Sequence, residues 1–392
     1  MSQRKVALLI ERSNGYCRGL LEGISAFARS RGNWSLYLNA EERGADPPNW
    51  LRDWEGDGII ARVETDQIGH RLQQQAVPIV DLSAARHMPG IPWADTEDRA
   101  ISQLAAEHFL DRGFEHLAYC GDPGFAWSNS RRDHFRSFAE AAECSFHECQ
   151  LIHRHEAGYQ WDRVRRALVS WLNKLPRPVA IMACNDYQGQ LLLDVCRSLS
   201  IAVPEEVAVL GVDDDRLICE LCEPQMSSVI PDTYRTGYEA AELLERMMNH
   251  EQVDSSARLV TQPLGVRLRE STDTIAIADP EVSQAMVFIR RHALENIRIA
   301  DVLKHCSLSR RALEHRFVKL VGHTPHEEIN RVRFQRIKQL LEQTEEPIVS
   351  IAKRTGYDYP EYLTAAFKRE TGMTPSQYRV RCREEKESPS QA

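Results

Sequence analysis

Pro347-Ile-Val-Ser-Ile-Ala-Lys-Arg-Thr-Gly356-Tyr-Asp-Tyr-Pro-Glu-Tyr-Leu-Thr-Ala-Ala-Phe367-Lys-Arg-Glu-Thr-Gly-Met-Thr-Pro375 is the second writing of a unit the chain has already spelled once. Ile299, Val302, Leu308, Leu313, Phe317, Gly322 and Pro325 form the first copy; Ile348, Ile351, Tyr357, Leu363, Phe367, Gly372 and Pro375 form the second. The copies stand 49 positions apart up to Leu308/Tyr357 and 50 from Leu313/Leu363 onward, so the second turn carries one extra residue. A repeat of this period marks a duplicated supersecondary unit. Each copy reads as short helix, tight turn, longer helix, which is the helix-turn-helix shape whose second helix fits a DNA major groove.

The units span 298–321 and 347–371. Ser309 is a natural N-cap for the second helix of the first unit. Pro347 suits the N1 position of the second unit, and Gly356 suits a C′ position. Between the units, 325–343 reads as one amphipathic helix carrying Arg331, Arg333, Arg336 and Lys338, a rod of roughly 28 Å. Such a rod places two groove-reading helices near the spacing of successive major grooves on one DNA face, roughly 34 Å.

The chain has 392 residues, 42% hydrophobic and 27% charged, enough for two or three ordinary cores. Charge is unevenly placed. Residues 279–392 hold 20 Lys+Arg against 16 Asp+Glu, net +4; residues 1–278 hold 29 against 41, net −12. A basic third on an acidic body suits a nucleic-acid reader fused to another domain. There is no apolar run of membrane-spanning length, and the start lacks a signal-type apolar core, so a cytoplasmic protein is expected. The ten cysteines are scattered, which implies reduced, buried thiols.

Residues 1–275 alternate strand and helix. Val6–Ile10, Gly58–Val63, Val77–Leu82, His116–Cys120, Val179–Ala183 and Val207–Val212 are apolar runs of the kind buried on both sheet faces. Helical spacing fills Tyr16–Arg29, Asp98–Asp111, Arg131–Glu143, Trp161–Leu175 and Tyr187–Leu199. The alternation predicts an α/β domain of parallel sheets, with more strands than one sheet favours, and so a two-lobed body followed by an all-α domain at 279–392. Ligands in such folds sit beyond the carboxyl ends of the strands.

Polar residues gather at those ends: Glu11, Arg12 and Asn14 after the first strand, Trp127 and Arg131 after the fourth, Asn185 and Asp186, and then Asp213. Carboxylates and amides for hydroxyls, a cation and an aromatic face together make a sugar site. The competing reading is helix capping, which Asp and Asn also perform.

Residues 5–272 resemble the periplasmic-binding-protein-like sensor of LacI/GalR regulators. The resemblance rests on Cys184-Asn-Asp186, Val203-Pro-Glu-Glu-Val207, Gly211-Val-Asp-Asp214, Ser227-Ser-Val-Ile230 and Arg267-Leu-Arg-Glu-Ser271, in the family's order. It implies an effector-contacting Arg131 and a cleft containing Asn185, Asp186 and Asp213. The tail resembles the AraC/XylS DNA-binding domain end to end, through Ile351-Ala, Gly356-Tyr, Tyr362-Leu, Phe367-Lys, Gly372-Met-Thr-Pro and Tyr378-Arg. That resemblance places base readers on Arg311, Glu314 and His315 in the first unit and on Glu361, Thr364 and Ala365 in the second. Arg suits guanine O6/N7 and Glu a cytosine amino group. Arg310, Arg316, Lys319, Lys353, Lys368 and Arg369 fall to phosphates or solvent. The joined resemblance is to sugar-responsive regulators of pentose catabolism. It implies D-xylose as effector, activation through RNA polymerase, double-stranded DNA with paired or directly repeated half-sites, and a homodimer.

Cys144, His147, Cys149, His153 and His155 lie within twelve residues, but a strand over Ser145–Ile152 would scatter them over both faces, which argues against metal. No phosphate loop, GxGxxG or nucleophile–base pair accompanies Asp213-Asp-Asp215, so neither an enzyme nor a cofactor is expected. A repressor, a regulator of another sugar, and a sugar-binding module with a protein-docking tail are the competing functions.

Overall fold

A continuous apolar strand needs cover on both faces, and the protein supplies it twice. The structure, a computed structural model, describes residues 3–38, 48–149, 151, 160–254, 257–274, 276, 277 and 279–387. It divides into two units, Met1–Ala276 and Ile277–Ala392. The first runs β1 (Arg4–Leu9), α1 (Gly15–Arg31), β2 (Trp34–Leu38), β3 (Gly58–Ala61), α2 (Asp66–Leu72), β4 (Ile79–Asp81), β5 (Trp93–Thr96) and α3 (Asp98–Leu110). It continues β6 (His116–Cys120), α4 (Ala126–Ala141), β7 (Ser145–Cys149), α5 (Trp161–Leu172), β8 (Val179–Ala183), α6 (Asp186–Ser198), β9 (Val207–Val212) and α7 (Arg216–Leu221). It closes with β10 (Ser227–Ile230), α8 (Thr233–Met248), β11 (Arg258–Thr261) and β12 (Gly265–Arg267).

Among the described residues these strands form two six-stranded sheets, ordered β11-β5-β4-β3-β1-β2 and β12-β10-β9-β8-β6-β7. The first is parallel throughout; in the second only β12 runs antiparallel, against β10. Each sheet is the centre of one lobe. The chain passes between lobes three times, after β5, after β10 and after β11. Every residue of β8 and β9 is buried, as parallel strands covered on both faces require.

The return through α8 fixes the first lobe. Helices α1 and α8 pack so closely that a Cβ on Gly23 would lie 1.9 Å from the Tyr234 carbonyl oxygen, and one on Gly237 would lie 2.1 Å from the Leu20 oxygen. Only hydrogen fits at either place.

The second unit contains α9 (Pro280–His292), α10 (Ile299–Val302), α11 (Arg310–Val321), α12 (Pro325–Gln343), α13 (Ile348–Arg354), α14 (Pro360–Thr371) and α15 (Pro375–Glu387). The repeat becomes two small cores. Val282, Ile289, Val302, Leu313, Phe317 and Ile329 fill one; Ile337, Leu341, Ile351, Leu363 and Phe367 fill the other. Helix α12 gives residues to both, with a Thr324/Glu327 capping box at its start. Arg333 donates to the Ala293 oxygen at 2.7 Å on one side and stands over the Tyr357 ring at 5.8 Å on the other, so this buried cation stitches the two halves. Ser309 caps α11 through the Ala312 N–H, and Gly356, Gly322 and Gly372 all adopt positive φ at helix ends. Pro347 sits one residue earlier than expected, as the N-cap of α13.

Gly23→Ala should lower the unfolding free energy by roughly 2–4 kcal/mol, because the new methyl meets backbone that cannot step aside. Urea unfolding checks this; an unchanged midpoint would mean that α1 and α8 can part at little cost.

Candidate functional sites

Two sites emerge, a cleft in the first unit and an exposed helix pair in the second. The cleft, about 680 Å³, lies between the lobes, and its polar wall comes from residues that follow strand carboxyl ends. One lobe contributes Asn14, Tyr16, Arg62 and Asp95; the other contributes Trp127, Arg131, Asn185, Gln188 and Asp213.

The lobes repeat one local device. Asn14 ends the loop after β1 and caps α1, accepting from the Cys17 N–H at 2.8 Å; Asn185 follows β8 and caps α6, accepting from the Gln188 N–H at 3.0 Å. Capping and cleft lining are therefore compatible at both positions. Each lobe also buries one arginine on an aromatic ring. The Arg62 guanidinium is 5.2 Å from the Tyr16 centroid and pairs with Glu11 at 3.3 Å and Glu64 at 2.5 Å. The Arg131 guanidinium is 5.0 Å from the Trp127 centroid, pairs with Asp98 at 2.9 Å and donates to the Cys184 oxygen at 2.7 Å. Burial alone would push both guanidiniums toward neutrality. Cys17, Glu64 and Glu11 around one, and Asp98 and Asp213 around the other, reverse that and hold both charged.

Asp213 enters the cleft from a constrained turn. It and Asp214 have φ of 111° and 48°, a conformation that non-glycine residues rarely take. Asp214 is held there by Arg267 at 2.7 Å and Arg269 at 2.8 Å. Tyr16 donates to Asp95 at 2.9 Å, and burial raises the Asp95 carboxyl. The lobes meet beside the cleft: Tyr187 donates to the Ser13 oxygen at 2.7 Å, and Arg18 pairs with Asp215 at 2.7 Å.

Of the residues predicted from sequence, Asn14, Trp127, Arg131, Asn185 and Asp213 line the cleft. Three stand elsewhere. Glu11 is buried behind the wall as an anchor for Arg62. Arg12 is exposed, and its carbonyl accepts from Arg18 at 3.3 Å. Asp186 is wholly buried, accepting from Ser228 at 2.7 Å and from the Asp215 N–H at 2.6 Å, while burial and Asp213 push its carboxyl well up. Sequence reasoning missed Arg62, Tyr16 and Asp95. Arg62 carried a usable signal, a cation interrupting the apolar run Gly58–Val63.

Among the described residues no three His, Cys, Asp or Glu side chains come together as metal ligands. Cys144, His147 and Cys149 are on or beside β7, where His147 shares a hydrogen bond with Ser145; His153 and His155 lie outside the described residues. One Cys-x-x-Cys spacing does occur, at Cys219 and Cys222. Both are buried free thiols, and burial pushes Cys222 up to about 12, so neither supplies a ready thiolate.

In the second unit, Arg310, Arg311, His315 and Lys319 are exposed on α11, and Glu361, Ala365 and Lys368 are exposed on α14. Arg310 and Glu314 pair with each other at 2.9 Å, and the Thr364 hydroxyl is turned back to the Pro360 oxygen at 2.9 Å. Arg316 pairs with Asp279 at 3.1 Å and so ties α11 to the N-cap of α9. Two aromatics add to the α14 surface without having been anticipated: Tyr359 and Tyr362, 60% and 66% exposed.

Comparison with known proteins gives matches along nearly the whole chain. Residues 5–98 match a XylR N-terminal domain, 106–272 a periplasmic binding protein-like domain and 302–381 a helix-turn-helix domain. The chain is 32% identical to the xylose operon regulatory protein of Haemophilus influenzae, over 96% of this chain and 98% of that one. It is 31% identical to its counterpart in Escherichia coli K12, over 96% and 97%. A solved structure of the xylose-binding transcription activator xylR superposes with a TM-score of 0.82 at 29% identity, covering 97% of this chain and 98% of that one.

Burial pushes the Asp98 carboxyl up to about 6 against the pull of Arg131. The native chain therefore keeps this proton to higher pH than the unfolded chain, whose carboxyl ionises near 4. Stability from this group is fully present below about pH 4 and is lost as pH rises through about 6. The unfolding free energy of the native protein minus that of Asp98→Asn should accordingly rise by about 1 kcal/mol on going from pH 7 to pH 5. A pH-independent difference would show that Arg131 offsets the burial completely.

Proposed function

This chain belongs to the xylose operon regulatory protein family, and on that premise we propose that it is a D-xylose-dependent transcription activator of pentose-catabolic genes. The observation that carries the reading is that one chain holds both a cleft with a fixed guanidinium in each lobe and a duplicated groove-reading unit. A pentose offers hydroxyl donors and acceptors around a ring with apolar C–H faces. Asp213, Asp95, Asn14 and Asn185 match the hydroxyls, Arg62 and Arg131 match hydroxyl or ring oxygens, and Trp127 offers an aromatic face.

A sugar gripped by both lobes favours the closed cleft in proportion to its greater affinity for that state. Tyr187 to Ser13 and Arg18 to Asp215 are contacts of the kind that closure would retain between the lobes. Closure governs DNA binding by the tail through a coupling of about 1–3 kcal/mol. On DNA, Arg311 and His315 read bases from α11, Glu361 and Thr364 read from α14, and Arg310, Lys319 and Lys368 meet phosphates. The protein acts in the cytoplasm as a homodimer on paired half-sites, recruits RNA polymerase, and catalyses no reaction. Among the described residues no helix is long and apolar enough to cross a membrane.

Calorimetry with D-xylose tests the cleft. Arg131→Met should weaken binding about tenfold to hundredfold, the worth of charge-assisted hydrogen bonds lost from a buried site; affinity unchanged by that substitution would contradict the assignment. On DNA, Lys368→Ala should reduce the slope of log K against log salt by about 1, whereas Arg311→Ala should cost about 1–3 kcal/mol on the specific site and relax its sequence preference. Anisotropy titrations at several salt concentrations separate the two effects. If both variants bind specific and random DNA like the native protein, this interface is wrong.

A further inference from the structure

The cleft is larger than one pentose requires. Ten non-hydrogen atoms at interior packing density fill on the order of 150–200 Å³, against about 680 Å³ available. The surplus has a direction. Asn185, Gln188, Leu191 and Asp194 all line the cleft and step along α6 over a rise of roughly 13 Å. A pyranose, built from bonds of about 1.5 Å, spans only roughly 5 Å.

The lining changes along that path. The inner end is polar, closed by Arg131 and Asp213; the outer stretch has Leu151, Val164 and Leu191, flanked by the amides of Gln188 and Gln190 and the Asp194 carboxylate. Trp161, at the start of α5, brings an indole that is 54% exposed to the rim. An apolar strip with an aromatic ring and hydroxyl acceptors on its borders suits a sugar ring lying on its C–H face. The Gln190 amide and the Asp194 carboxylate, the latter also paired with Arg197 at 2.6 Å, put polar groups beside that strip, which suits a hydroxylated ring better than a purely apolar group.

We propose that the outer groove along α6, bordered by Trp161, Leu191 and Asp194, is a second sugar subsite, so that the cleft also takes a pentose disaccharide. The inference rests on the sensor reading above, with the inner ring in the polar end and the outer ring on Trp161. A chain so equipped senses the breakdown product of a pentose polymer before its last glycosidic bond is hydrolysed.

Calorimetric titration of the full-length protein with D-xylose and with β-1,4-xylobiose is the test, in the native chain, in Trp161→Ala and in Leu191→Arg. The native protein should bind both sugars. Trp161→Ala should weaken xylobiose about tenfold while xylose affinity holds, since the exposed indole contributes only to the outer ring. Leu191→Arg, which puts a long cation in the groove, should block xylobiose and spare xylose. Xylose binding without xylobiose binding in the native protein overturns the subsite, as does an equal response of the two sugars in both variants. Failure to bind xylose at all overturns the sensor reading, and the subsite with it.

Discussion

Two guanidiniums held out of water, one in each lobe, set the terms for the cleft. A buried charge is tolerated only when carboxylates and hydrogen-bond acceptors surround it, and both arginines are so surrounded. The arrangement explains why Glu11, Glu64 and Asp98 are present although only the arginines reach the cleft. Fixing the donors before the ligand arrives means that binding orders few side chains, which favours affinity. It also makes recognition two-sided, because neither lobe alone offers both cations to one ligand.

The DNA-reading unit solves a different problem. Each helix-turn-helix is too small to hold itself together alone, so α12 lends residues to both cores and Arg333 joins the halves. Rigidity in that shared helix is what lets two recognition helices keep a fixed spacing. The two reading surfaces are not equivalent. The α11 face is cationic through Arg310, Arg311, His315 and Lys319, whereas α14 shows Glu361, Ala365 and two tyrosines. The first unit thus has more guanine-type donors and the second more acceptor and apolar character.

The fold was legible where a period governed it. The repeat at 49 and 50 residues predicted α10 to α14, and continuous apolar runs predicted β8 and β9 to the residue. Short strands such as β5 and β12 escaped, because three or four half-buried residues carry no period to read. The cleft was partly legible. Residues just after strand ends were found, but Tyr16 and Asp95 are brought together by the fold across 79 positions, and no local pattern announces them. Asp186 misled for the converse reason: its sequence neighbourhood is that of a cleft residue, while its side chain turns inward to hold Ser228 and the Asp215 backbone.

The central claim is that sugar in the one unit governs DNA binding by the other. Fluorescence anisotropy on DNA from upstream of a xylose-catabolic gene, with and without saturating D-xylose, measures that coupling directly. The account predicts a dissociation constant at least about fivefold lower with the sugar, the lower end of a regulatory coupling. A dissociation constant unmoved by D-xylose, in a protein shown to bind both ligands, would contradict it.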